Sequence, residues 1–116
     1  MDTGLKTCLD EVRRHLREEL LPYWRMRGDD TLHGGFLTYF DRNGDPTGET
    51  RKNLLAHARM VYSFSALHRA GLDADSNFLR RAGKGVEFML EHFLDWERGG
   101  WFWVLERDGT PVDRKK

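Results

Sequence analysis

Only one cysteine, Cys8, occurs among the 116 residues, so no disulfide can form within the chain, and a reducing compartment, the cytoplasm, is the expected location. An excess of charge of one sign is also missing, because 19 Lys and Arg balance 19 Asp and Glu. A chain without net charge offers no basic face to neutralise phosphates or grip anionic lipid, so neither nucleic acid nor a membrane is expected as a partner. Long apolar runs are lacking too. The longest is the five residues Trp101–Leu105, against the roughly twenty that a bilayer-spanning helix needs. Asp2 and Lys6 interrupt the stretch where a secretory signal would carry its apolar segment, and export is not expected. The histidines, His15, His33, His57, His68 and His92, include no i, i+4 pair and have no cysteine partner, so no metal site is expected.

Large aromatic rings are what the chain has in quantity: 4 Trp, 7 Phe and 3 Tyr. A domain of this size buries about two thirds of its unfolded surface. Some of the rings are therefore expected to await a partner surface.

A repeat organises the sequence. Gly34-Gly35-Phe36 is followed by Asp41-Arg42-Asn43-Gly44-Asp45-Pro46, and Gly99-Gly100-Trp101 is followed at the same distance by Glu106-Arg107-Asp108-Gly109-Thr110-Pro111, an offset of 65 throughout. Asn43-Gly44 and Asp108-Gly109 are strong positive-φ dipeptides and predict tight turns. Short strands are expected from Phe36 to Phe40 and from Trp101 to Glu106.

Each Gly-Gly step follows a helical pattern. Leu5, Cys8, Leu9, Val12, Leu16, Leu20 and Trp24 recur at spacings of three and four, with Arg13, Arg14, Arg17 and Glu18 on the other face. Pro22 should end or kink this helix near Leu21. Before the second step, Leu79, Ala82, Val86, Met89, Leu90 and Phe93 form a second one-sided stripe. Between them, Thr50 to about Ala70, stopped by Gly71, is apolar or small most of the way round, which predicts a helix buried on both sides. An outer and an inner helix per 65 residues is the period of a helical-hairpin toroid, whose inner helices line a central cavity and depend on neighbouring repeats for burial. Residues 1–116 are expected to form one partial barrel domain of about one and a half hairpins, with no second domain.

Arg59 is the leading candidate for function. In a helix otherwise expected to be buried, a guanidinium must be paired or face a wet cavity. Lys52, Ala56, Arg59, Ser63 and Ala66 would share one small and polar line. His57, on the opposite side, suits a satisfied core residue, and it is carried as a second candidate for the pocket. Trp101, Phe102 and Trp103 could stack on a sugar ring or pack between repeats. Asp41, Asn43 and Asp45 suggest a calcium loop, but Pro46 at the sixth position and Lys52 at the twelfth exclude it. Asp29 and Asp30 read as solvated caps, or as a fragment of an acid/base pair.

Leu21-Pro22-Tyr23-Trp24, His33-Gly34-Gly35-Phe36, Asp41-Arg42-Asn43-Gly44, Lys52, the run from Ala58-Arg59 to Ser65, and Gly99-Gly100-Trp101 with Asp108-Gly109 and Pro111 together resemble the N-acylglucosamine 2-epimerase family, in its N-terminal third. The resemblance implies an all-α fold, the N-terminal segment of an (α/α)6 barrel with short strands and turns at the Gly-Gly-aromatic steps. Six hairpins at the period found here need roughly 390 residues. It implies an isomerase of carbohydrate metabolism, moving a proton beside the carbonyl of an opened sugar ring without metal or organic cofactor, with histidines as acid and base. In that family an arginine matching Arg59 contacts sugar oxygens near the reacting carbons, which would make Arg59 both a catalytic and a substrate-binding residue, with His57, Trp101 and Phe102 as further substrate-binding candidates. The family's catalytic histidines lie on later helices, so this chain alone is expected to be inactive. The expected partners are a mono- or disaccharide and, for the uncovered apolar surface, a second copy in a homodimer or the rest of the barrel. The alternatives are a non-enzymatic helical interaction module from a degenerate gene, or a fragment of an (α/α)6 glycoside hydrolase that works through carboxylates.

Overall fold

A computed structural model describes residues 2–116. The first helical stretch comprises α1 (Thr3–His15), a π-helical turn (Leu16–Leu20) and α2 (Leu21–Arg25). Pro22 has no N–H to give to the carbonyl of Glu18, and the turn before it widens to π geometry instead of stopping the helix. The apolar stripe of α1 buries nothing, and only Leu21 and Trp24 of α2 reach the core. The molecule is accordingly elongated, 55 × 28 × 27 Å.

The inner helix is α3 (Leu54–Arg69), shorter than its apolar pattern. Asn53 caps it: its side-chain oxygen accepts the N–H of Ala56 at 2.7 Å. Lys52 therefore lies outside the helix, in strand β1 (Lys52–Asn53), which pairs antiparallel with β2 (Val104–Leu105). The expected strand at Phe36–Phe40 reduces to isolated bridges at its ends, Asp29 with Phe36 and Phe40 with Pro46, and the second shrinks to β2. The first segment folds back at once through its own turn, and the second finds a neighbouring edge in β1 over two residues only.

Helix α4 (Asn77–Phe88) continues through a π-helical turn (Met89–Phe93). Its buried face is rotated from the expected stripe: Phe78, Arg81, Ala82, Gly85, Phe88 and Phe93 are covered, while Leu79, Val86 and Leu90 are exposed. The reason is local fit. Gly85 lets the Phe36 ring come so close that an added Cβ would lie 2.6 Å from it. Arg81 can be buried because Asp29 and the carbonyls of Trp24 and Arg27 take its donors.

Two phenylalanine clusters form the core. One joins Phe36, Phe64, Phe78 and Ala82; the other joins Phe88, Phe93, Phe102 and Leu105. Helix α3 packs against them with one side, burying His57 and Phe64, so the expected burial all round is not what the chain shows. Its opposite side is open, with Leu55 43% and Tyr62 76% exposed.

The repeat is written into the backbone. Asp30 N–H donates to Gly35 O, and Asp95 N–H donates to Gly100 O, each at 2.9 Å. Asp41 N–H to Asp45 O matches Glu106 N–H to Thr110 O, and Thr47 N–H to Tyr39 O matches Val112 N–H to Val104 O. Gly34, Gly35, Gly99 and Gly100 all have φ between 69° and 84°, a left-handed conformation that side chains resist, so the Gly-Gly pair is what both loops require.

Candidate functional site

Spacing along α3 puts Leu55, Arg59, Tyr62 and Ala66 on one face, at steps of four, three and four residues, and all four are exposed. Arg59 has no hydrogen-bonding or ion-pair partner among the described residues, so its guanidinium is available to solvent or a ligand. Beside the first turn of this helix runs the second aromatic segment: Leu54 N–H donates to Trp103 O at 3.0 Å. Strand alternation sends Trp101 and Trp103 outward, 37% and 46% exposed, and turns Phe102 into the core. The ammonium of Lys116 lies 5.3 Å from the centre of the Phe102 ring.

His57 is fully buried, and both ring nitrogens are engaged. Nε2 accepts the Phe36 N–H at 2.9 Å, and Nδ1–H donates to Asn53 O at 3.0 Å. Its ring stacks on Phe88. Burial pushes its pKa down to about 4, so the ring is neutral and serves to join the first Gly-Gly loop to α3. The structure thus leaves Arg59 and Trp101 at the surface, and places His57 and Phe102 inside.

The most elaborate polar arrangement was not anticipated from sequence. Asp30 is buried, and its Oδ1 accepts the N–H groups of Leu32 and His33 at 3.0 and 3.1 Å. Lys52 Nζ donates to its Oδ2 at 2.8 Å, and also to Gly34 O and Arg107 O, each at 2.7 Å. Arg107 closes the clamp with a two-pronged grip, Nε to Oδ2 at 3.0 Å and Nη2 to Oδ1 at 3.1 Å. Burial alone would raise the pKa of Asp30; the hydrogen bonds from Arg107, Lys52 and the loop outweigh it and hold the carboxyl far below the usual range. Asp95 repeats the pattern, accepting Glu97 and Arg98 N–H, and Lys116 Nζ at 2.8 Å. Lys116 and the loop N–H groups bring its pKa down to about 2. The signal was present in the sequence, because Asp30 and Asp95 stand at the same 65-residue offset as the glycines.

These contacts bear on the carboxylate chemistry considered for Asp29 and Asp30. Asp29 is held by Arg81 Nε at 3.0 Å to both oxygens, and Asp30 by the clamp, so neither is a solvated cap. No cluster of three potential metal-ligating side chains occurs among the described residues. A surface groove of about 440 Å³ lies between the first Gly-Gly loop and α4, lined by residues including Asp29, Asp30, His33, Lys84, Phe88 and His92; Arg59, His57, Trp101 and Phe102 do not line it. No described helix is long and apolar enough to cross a membrane.

An open inner-helix face, carried on repeated outer–inner hairpins joined by Gly-Gly loops, defines the chain as a segment of an (α/α)6 barrel, the fold of the solved proteins it matches. The sequence profile of the N-acylglucosamine 2-epimerase family matches residues 34–116, and the chain belongs to that family. It is 30% identical over 114 residues to a cellobiose 2-epimerase of Dictyoglomus turgidum, covering 97% of this chain and 28% of that one. It is 31% identical over 116 residues to the cellobiose 2-epimerase of Bacteroides fragilis, covering 100% and 28%. The solved structure of cellobiose 2-epimerase from Spirochaeta thermophila superposes with a TM-score of 0.83 at 29% identity, covering 97% of this chain and 27% of that one. The chain therefore spans a little over a quarter of the length of the relatives it matches.

Proposed function

We propose that the chain forms the N-terminal part of the barrel of a cytoplasmic carbohydrate 2-epimerase or aldose–ketose isomerase, and that Arg59 acts at its sugar site. The observation that carries this reading is the unpartnered guanidinium on the open face of an inner helix. Proton transfer beside a sugar carbonyl builds negative charge on oxygen, and a planar cation that donates to two oxygens at once stabilises that charge more in the transition state than in the bound substrate. Trp101, at the surface beside the open face, supplies a ring on which a sugar can stack. His57 and Phe102 support the site from behind, by holding the Gly-Gly loop and β2. The proton-transfer base comes from later helices of the barrel, so the 116 residues alone do not exchange the proton.

A chimera tests this. The chain replaces the aligned N-terminal segment of the Dictyoglomus turgidum cellobiose 2-epimerase, and epimerisation is followed by deuterium incorporation at the carbon beside the carbonyl. The chimera is expected to be active, and Arg59→Lys in it should lower turnover roughly a hundredfold to a thousandfold with a smaller change in substrate affinity. The isolated chain should show no exchange. Near-normal turnover of a folded Arg59→Lys chimera, or exchange by the isolated chain, would overturn the assignment.

A further inference from the structure

Charge that balances over the whole chain is unevenly placed in the fold. A second groove, of about 240 Å³, lies between the loop after α2 and the first half of α4, and cations dominate its walls: Arg25 from α2, with Arg80, Arg81 and Lys84 from α4. The carboxylate among them is Asp29, and both of its oxygens are taken by Arg81 Nε, each at 3.0 Å. The remaining donors of Arg81 go to the carbonyls of Trp24 and Arg27. Arg80 and Lys84 are exposed, and neither has a carboxylate within ion-pair distance among the described residues. Arg25 gives Nη2 to Asp75 and keeps its other guanidinium donors. The groove therefore carries a surplus of positive charge in a chain that has none overall.

Stability does not account for this arrangement. Arg80 and Lys84 stand four residues apart on one helix face, where like charges repel. Arg80 also lies near the N-terminus of α4, whose dipole favours negative charge, and no acidic residue occupies the first turn. Asn77 lines the same groove, and its Oδ1 is buried without a hydrogen-bond partner. Buried polar atoms are nearly always satisfied, so this amide is suited to a ligand's hydroxyl or, with the amide turned over, to an anion's oxygen. The larger groove of about 440 Å³ shares Asp29, Thr31, Arg81 and Lys84 with this one, so the two are continuous. Beyond the shared residues its lining changes from cationic to mixed, with His33, Glu87 and His92 beside Phe88. Helix α4 packs on the covered side of α3 through Phe78 and Ala82, whereas Arg59 stands on the open side, so the joined groove is separate from the sugar site proposed above.

We infer that the joined groove binds a small phosphate ester of a polyhydroxylated compound, with the phosphoryl group between Arg25, Arg80 and Lys84 and the polyol body along His33, Glu87 and Phe88. Charge-assisted hydrogen bonds from guanidinium and ammonium groups hold phosphoryl oxygens more strongly than neutral donors do, and an arginine fork serves two oxygens at once. Hydroxyl groups exchange hydrogen bonds with the carboxylate of Glu87 and the imidazole of His33, while the apolar face of the body lies against Phe88. Both walls of the groove come from described residues of two successive repeats, at the place where neighbouring outer helices of the barrel meet.

Calorimetric titration with glucose 6-phosphate, inorganic phosphate and glucose, at one ionic strength set with sodium chloride, tests the inference. Glucose 6-phosphate should bind, inorganic phosphate should bind roughly tenfold more weakly, and glucose should not compete for the site. The double variant Arg80→Ala/Lys84→Ala, altered only at exposed positions, should melt like the parent and lose affinity for both phosphates by roughly tenfold or more. Arg59→Ala, on the other side of α3, should leave both affinities unchanged, which keeps this result independent of the sugar-site reading. If the isolated chain gives no cooperative melt, the same titrations are made on the chimera, which contains both walls of the groove. No binding of either phosphate beyond the chloride control, a double variant that binds like the parent, loss of binding in Arg59→Ala, or equal affinities for inorganic phosphate and glucose 6-phosphate would overturn the inference.

Discussion

The two Gly-Gly loops have the same backbone and different surroundings. In the first, Asp30 is gripped by a lysine and an arginine, the Phe36 N–H is received by His57, and Gly35 is packed under the Phe88 ring. In the second, Asp95 has its lysine alone, and an added Cβ at Gly100, the counterpart of Gly35, would meet only the flexible Lys116 side chain, at 3.4 Å. Local sequence is enough to shape the loop; what rests on it decides how much the loop matters to stability.

Three measurements would break or sharpen that contrast. The largest effect is expected at Asp30. Removing one partner of a buried charge network leaves Lys52 uncompensated in the core, so Asp30→Ala should lower unfolding free energy by about 3–5 kcal/mol in urea titrations. Asp95→Ala should cost clearly less, and equal losses at the two sites would remove the distinction.

Next comes acid. The folded pKa of His57 lies at about 4, below the ordinary value of 6.5, so between those values the unfolded chain binds more protons than the folded one and stability rises with pH. Acidification through that window should therefore remove on the order of 3 kcal/mol, and His57→Gln should flatten the dependence. The carboxylates act lower. Asp30 and Asp95, both depressed when folded, contribute stability that is present above the ordinary carboxylate range and is lost as pH falls through their folded pKa values. A stability profile of the parent chain that is flat from neutral pH to pH 4 would contradict the buried neutral imidazole.

The smallest difference concerns the glycines. Gly35→Ala combines a left-handed φ of 69° with a Cβ 2.8 Å from the Phe88 ring and 2.9 Å from His57 Nε2, and should cost about 2–4 kcal/mol. Gly100→Ala, at the matching position, meets the φ penalty and an ordinary contact with Lys116 at 3.4 Å, about 1–2 kcal/mol. Thermal melts of the pair should separate by several degrees, and indistinguishable melts would show that the crowding at Gly35 is relieved by a small ring movement.

Much of this was legible in the residues. The 65-residue offset, the tight turns at Asn43-Gly44 and Asp108-Gly109, the break in helical regularity at Pro22 and the outer–inner–outer helix order are all local signals, and the structure carries each of them. The inner-helix pattern was less informative. An apolar surface most of the way round α3 was read as two-sided burial, whereas one side packs and the other stands open. The pattern tells which surfaces can be buried without naming what is there to bury them.

The same limit separates what the sequence determined from what the tertiary structure decided. Backbone conformation at a glycine pair, a proline or an asparagine cap follows from steric and hydrogen-bonding properties of a few adjacent residues, and those were determined before any packing. Whether Asp30 becomes a clamp and Asp95 half of one, whether His57 is a ligand or a strut, and whether Arg59 is paired or free depend on groups 21 to 77 residues away. Desolvation and charge pairing act through space over a few ångströms, so only the assembled fold could settle them.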